Sequence, residues 1–141
     1  MNITYTNSIN VDDYSALRKS AGWSTIPSEQ AQAGLDGSAF VIAALDGEKV
    51  AGTARLIWDG GYGALIKDVL VFPEYQGNGI GSEMMRQIIE YLKEQMKPGW
   101  SVCIDLMTAP GKETFYQKFG FVARPRDNRG TGMDLWLESP L

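Results

Sequence analysis

The chain has 141 residues, 13 Lys and Arg against 17 Asp and Glu for a net charge of −4, and 44% hydrophobic residues. That length suits a single domain, 1–141, with a core of its own. The composition excludes several classes at the outset: there is no basic stripe for nucleic acid, no apolar run near the roughly 18 residues that span a bilayer, and no histidine for a Ser-His-Asp triad.

The lack of histidine also argues against a catalytic zinc centre, and no metal is expected. Met1-Asn2-Ile3-Thr4-Tyr5 has neither a basic region nor an apolar core, so no secretory signal is read and a cytoplasmic location is expected. The lone Cys103 sits in Ser-Val-Cys-Ile-Asp-Leu and is expected to behave as a small buried hydrophobe.

Residues 2–6 alternate weakly and predict an edge strand. Val11, Tyr14 and Leu17 predict a short helix over 11–20, capped by Asn10 or Asp12. Gly22-Trp23 breaks it, and Pro27 opens a second short helix through Leu35. Ala39 to Leu45 reads as a central strand, Asp46-Gly47 as a hairpin turn, and Glu48 to Trp58 as the returning strand. Asp59-Gly60-Gly61 turns again into a third strand, Tyr62 to Phe72. Ile80, Met84, Ile88 and Leu92 then recur at helical spacing, so a long helix is expected from about Asn78 to Met96. Trp100 to Met107 is a strand parallel to the one before that helix, and Gly111 to Lys118 a short helix. Phe121–Ala123 and Gly132–Leu137 are expected to close the chain as a strand pair.

One stretch organises the rest: Val69-Leu70-Val71-Phe72-Pro73-Glu74-Tyr75-Gln76-Gly77-Asn78-Gly79-Ile80-Gly81-Ser82. A strand ends at a proline, a loop almost without side-chain bulk follows, and a helix begins. Glycines admit close backbone approach, and a helix N-terminus offers unpaired N–H groups and partial positive charge, so the stretch predicts an anion site. The spacing lacks the lysine of a nucleotide-triphosphate loop. It reads G-x-G-x-G rather than the G-x-G-x-x-G of a dinucleotide fingerprint.

Gln76-x-x-Gly79-x-Gly81 behind Val-Phe-Pro-Glu closely resembles the pyrophosphate loop of the GCN5-related N-acetyltransferases, the GNAT superfamily, with glutamine where arginine is more usual. Phe115-Tyr116-Gln117-Lys118-Phe119-Gly120-Phe121 is similar to that family's second signature, and the two stand in the family's order. The resemblance covers essentially the whole chain. It implies an α+β, three-layer fold: a mixed, mostly antiparallel sheet flanked by helices. It also implies acetyl-coenzyme A as co-substrate and a primary amine as acceptor, most simply of a small molecule. Acetylation of a protein lysine or N-terminus, and a non-catalytic coenzyme A-binding module, stand as the other readings.

Carried onto this chain, the resemblance assigns the cofactor to Leu70, Val71, Gln76, Gly77, Asn78, Gly79, Ile80, Gly81 and Ser82. A bulge in the third strand of the meander is implied, with a backbone N–H at Leu70 or Val71 polarising the thioester carbonyl. Tyr116 matches the family's general acid: a phenol near pKa 10 can protonate a leaving thiolate near 8.5. Asp68 is the first candidate for the base, before Asp105 and Glu113. Arg18, Trp23, Arg55 and the loop from Arg124 to Thr131 are candidates for the acceptor side. An exposed final strand and Trp136 would allow a homodimer.

Overall fold

The computed structural model describes all residues, Met1–Leu141. They form two compact units, Met1–Leu106 and Met107–Leu141.

The first unit is built on a sheet ordered β1 (Ile3–Thr6), β2 (Phe40–Asp46), β3 (Lys49–Trp58), β4 (Gly63–Val71) and β5 (Cys103–Asp105). Every neighbouring pair is antiparallel except β4–β5, which is parallel. The tight turns at 47–48 and 59–62 leave no other choice for the meander. The parallel pair is reached through the crossover helix α3 (Ile80–Gln95). The mixed sheet flanked by helices is the α+β class expected from the sequence.

Helices cover both faces of the sheet, and β2 shows how. Phe40 stacks on Tyr91 of α3, with centroids 4.6 Å apart. Its neighbour Val41 points the other way. There it packs on Tyr14, Ala31 and Leu35, from α1 (Val11–Ser20) and α2 (Ser28–Asp36). Residues paired with Phe40 and Ile42, namely Leu56 and Ala54, share the α3 face. Helix α3 buries Ile80, Met84, Met85, Ile88 and Leu92. Helix α1 starts where the sequence places it, with the Asn10 side chain accepting the Asp13 N–H at 2.8 Å. Such a cap contributes about 1 kcal/mol.

Three expectations are corrected. Helix α3 begins at Ile80, because Gly79 adopts a left-handed conformation, φ 78°, and ends the loop as the N-cap. Strand β5 is three residues, not the whole of Trp100–Met107, and Cys103 within it is exposed rather than buried. The pair at 121–123 and 132–137 does not form: Met133, Leu135 and Leu137 are each more than 80% exposed. Alternating hydrophobicity marks which face of a strand would be buried, but a strand exists only with a ladder partner, and here the one bridge is Arg126 with Arg129.

The second unit holds α4 (Glu113–Gln117), with the aromatics Phe115, Tyr116, Phe119 and Phe121 packed edge to face around it.

Gly52 has little room for a side chain. A Cβ there would stand 2.7 Å from the Leu70 carbonyl oxygen and 3.2 Å from Val71 Cγ2. Gly52→Ala should therefore destabilise the protein by about 1–3 kcal/mol, the usual cost of overpacking a core. Urea unfolding followed by circular dichroism checks this; an unchanged midpoint would show that β4 yields without cost.

Candidate active site

Strand β4 changes hand partway along. Asp59 N–H donates to the Gly63 carbonyl, and Cys103 N–H donates to the Tyr62 carbonyl. Peptide groups alternate sides along a strand. In the first part of β4, odd-numbered residues therefore face β3 and even-numbered residues face β5. Further on, Phe72 N–H donates to the Ala51 carbonyl, so even-numbered residues now face β3. The switch is a β-bulge: Arg55 pairs with Lys67 and Thr53 with Leu70, so Ala54 alone opposes Asp68 and Val69.

The switch decides which amides are available. β5 pairs only with Gly63–Leu65. From Ile66 to Val71 no strand pairs with that side of β4, an open edge onto which Val69 and Val71 direct their N–H groups, with the Val71 carbonyl accepting from Gln76 Nε2. Leu70 directs its N–H toward β3. Of the two residues the sequence offers as amide donor, Val71 is the one on the open edge.

The bulge also turns side chains over. Ile66 pairs with Leu56 on the α3 face. Without the extra residue, Asp68 and Leu70 would follow it there. Instead Leu70 packs with Leu17 and Val50 on the α1 side. Asp68 reaches a group of polar side chains from α1 and β3.

Asp68 itself has φ 58°, one of two non-glycine residues with positive φ. A bulge whose first residue is left-handed normally takes glycine. A side chain there costs about 1–2 kcal/mol. The carboxylate is held by three donors: Tyr14 Oη at 2.6 Å, Arg55 Nε at 2.7 Å and Arg18 Nη1 at 3.3 Å. Its side chain is only 7% exposed. The arginines are tied further: Arg18 Nη2 donates to the Ser24 carbonyl, and Arg55 Nη1 to the Gly34 carbonyl and Ser38 Oγ. Arg18 also lies 5.3 Å over the Trp23 ring. Arg18 and Arg55, expected on the acceptor side, are therefore bound first of all to Asp68. The other two candidate bases, Asp105 and Glu113, are exposed.

The glycine loop follows the bulge. Pro73–Tyr75 form one 3-10 turn. Gln76 Nε2 donates to the Val71 carbonyl at 3.0 Å, and Asn78 Nδ2 donates to the Tyr75 and Gln76 carbonyls. Both side chains thus brace the loop from within. Gly77 and Gly79 have φ near 80°, and a Cβ on either would meet nothing within 4 Å. The N-terminus of α3 carries no side-chain cap. An uncapped helix start behind an open glycine backbone suits a pyrophosphate: the space is there, and so are the donors of Gly77, Gly79, Ile80 and Gly81. Ser82 lies in the first turn of α3.

In the second unit, Tyr116 lies in α4 with its ring 4.9 Å from Phe115 and 6.2 Å from Phe121. Burial pushes its phenol above the ordinary tyrosine value. Tyr14 is raised as well, by burial first and then by its hydrogen bond to Asp68. Arg124 Nε and Arg126 Nη1 donate to the Gly130 and Val122 carbonyls, so the basic loop is held by its own backbone.

These features agree with comparisons to known proteins. The model of the acetyltransferase (GNAT) domain family matches residues 36–123. An uncharacterized N-acetyltransferase, ycf52, of Porphyra purpurea is 30% identical over 91% of this chain and 74% of its own length. A protein of Glycine max named histone acetyltransferase TAP1 is 28% identical over 86% of this chain and 56% of its own. Among solved structures, a probable acetyltransferase of meticillin-resistant Staphylococcus aureus, SA2161, superposes with a TM-score of 0.85 at 32% identity, covering 96% of this chain and 100% of that one.

Raised phenol pKa values have a consequence for stability. The folded chain holds these protons more tightly than the unfolded one, so the associated stability is complete below about pH 10 and lost as pH rises through the folded-state values. Spectrophotometric titration should show phenols ionising later than in denatured protein. Tyr14→Phe and Tyr116→Phe should each remove one of them; an unchanged late fraction in either variant would refute the assignment.

Proposed function

The chain belongs to the GNAT acetyltransferases, and we propose that it moves an acetyl group from acetyl-coenzyme A directly to the primary amine of a small molecule. The observation that carries this reading is the conjunction within one unit of an open β4 edge, Ile66 to Val71, with the glycine-capped start of α3. An extended amide-bearing arm can add to such an edge as a strand would. The family model spans residues 36–123 and so runs through the boundary at 106–107, which supports reading 1–141 as a single catalytic domain.

The backbone roles follow from the groups present, and that of Tyr116 from the family resemblance. Gly77, Gly79, Ile80 and Gly81 would hold the pyrophosphate through backbone N–H groups, with Gln76 and Asn78 fixing the loop's shape. Val71 N–H would donate to the carbonyl oxygen as negative charge gathers there. A fixed donor of this kind is worth about 100- to 1000-fold in rate. Acetyl-coenzyme A supplies the activated acyl group and a thiolate leaving group. Tyr116 would protonate that sulfur, and the proton lost by the amine nitrogen as the amide forms would pass to solvent, from which the phenol regains its own. Its raised pKa keeps the hydroxyl protonated through neutral pH, as a donor must be. A protein lysine as acceptor is the second reading, favoured by the relative named as a histone acetyltransferase.

Calorimetric titration with acetyl-coenzyme A and with coenzyme A tests the donor. Micromolar binding is expected, and Gly79→Val should abolish it, because a β-branched residue resists the left-handed conformation required there. Absence of binding to the wild-type protein would overturn the reading. Thiol release in the presence of small amines and of lysine peptides then separates the two acceptor classes. Against the best acceptor, Tyr116→Phe should lower kcat by about 100-fold with little change in KM. An undiminished kcat would remove Tyr116 from the mechanism.

A further inference from the structure

We propose that Asp68 is a positioning residue rather than the base of this reaction. Its carboxylate, clasped by Tyr14, Arg18 and Arg55, fixes the bulge that turns the Val71 amide onto the open edge of β4. The inference rests on the proposed transferase reading for its role in catalysis, but its structural half stands on the strand geometry alone.

Parity along the strand sets the direction of each amide. If β4 ran without a bulge, the odd-numbered amides facing β3 before residue 68 would go on facing β3 after it. Val71 would then donate into the ladder, and Leu70 would present its N–H at the edge. One extra residue exchanges the two. Residue 68 is where the exchange happens, and it does so by adopting φ 58°.

Glycine would take that conformation without help. The chain has aspartate there, and the aspartate is not idle. Tyr14 and Arg18 reach it from α1, and Arg55 reaches it from β3. Through Arg55 the clasp extends to Gly34 and Ser38 at the end of α2, and through Arg18 to the Ser24 carbonyl. The helices on the α1–α2 face are thereby tied to the one backbone position that sets the direction of the β4 amides. A left-handed residue persists only where its surroundings over-determine it, and this clasp does so.

The same contacts argue against a base. A general base must present a lone pair to the proton it takes. Here one carboxylate oxygen accepts from Tyr14 and Arg55 and the other from Arg18, in a side chain that is 7% exposed.

Three substitutions separate the roles. Asp68→Asn keeps a residue that tolerates the left-handed region and can still accept from Arg55. Asp68→Gly keeps the conformation and loses the clasp. Asp68→Ala loses both. The first readout needs no substrate: amide NMR shifts and hydrogen exchange at Val69, Leu70 and Val71. Asn is expected to keep the wild-type pattern, Gly to keep it with exchange of the ladder-facing Leu70 amide about tenfold faster, and Ala to lose it, since only Ala removes both supports.

The second readout uses acetyl-coenzyme A and whichever amine the wild-type protein accepts. Asn should hold kcat within about threefold with an unmoved pH profile. Ala should lose about 100-fold in kcat, the worth of one fixed amide donor. If Asn keeps the wild-type amide pattern yet is as inactive as Ala, the carboxylate is the base and the proposal is overturned. It is also overturned if Ala keeps the wild-type pattern.

Should Ala fail to fold, Tyr14→Phe decides. It leaves the carboxylate in place and removes one donor, so exchange at the ladder-facing Leu70 amide should quicken, whereas a pure base would leave it unchanged. A wild-type protein that binds no coenzyme A would sink the transferase reading, while the amide measurements would still test the clasp.

Discussion

A carboxylate buried between two guanidinium groups is the constraint on which this sheet depends. Removing charges from water is expensive, and breaking one partner of such a group costs about 3–5 kcal/mol because the others are left uncompensated. Asp68, Arg18 and Arg55 are therefore a unit, closed by the Tyr14 hydroxyl. Arg18 Nε is buried without a partner, which adds a local penalty that the rest of the network must outweigh. What the unit holds in place is small: one residue out of register in one strand. Yet that residue decides which amides β4 shows to its open edge and which side chains it shows to α1.

The loop and helix that follow depend on backbone in the same way. No charged side chain lies between Gln76 and Ser82. Gln76 turns its amide donor back onto the Val71 carbonyl at the end of β4 and Asn78 onto loop carbonyls, so they shape the loop instead of charging it. The left-handed glycines and the uncapped start of α3 leave N–H groups as the main electropositive feature. The apolar stripe of α3 anchors that helix on β2, β3 and β4. Sheet and helix thus aim two backbone devices, an amide at an edge and a helix N-terminus, from a single rigid base.

Much of this was legible in the sequence. Tight-turn residues announced the meander, helical spacing announced α3, and glycines at 77, 79 and 81 announced the loop. The position of the bulge was less plain. Ala64, Ile66 and Leu70 are all buried and all at even positions, so they read as one unbroken face with Asp68 among them. In fact Leu70 is buried against the opposite layer, and an even run conceals a change of face when both faces are apolar. The aspartate was the signal: a lone acid in a buried strand requires cationic partners, and Arg18 and Arg55 were available. The C-terminal misreading has the opposite cause. Met133, Leu135 and Leu137 alternate well, but alternation carries no information about a pairing partner.

The missing histidine ties these points together. A chain without imidazole has no side chain whose ordinary pKa lies near neutrality. Burial moves Tyr116 further from neutrality, which keeps it protonated at neutral pH while making it a weaker acid. In the proposed reaction the phenol's proton is complemented by electrostatic stabilisation from fixed backbone dipoles, which need no titration but tolerate little displacement. An amide donor that is off by one residue points to the wrong side of its strand altogether. In the proposed transferase, a buried carboxylate bonded by three residues at the bulge serves the reaction through the direction of the Val71 amide.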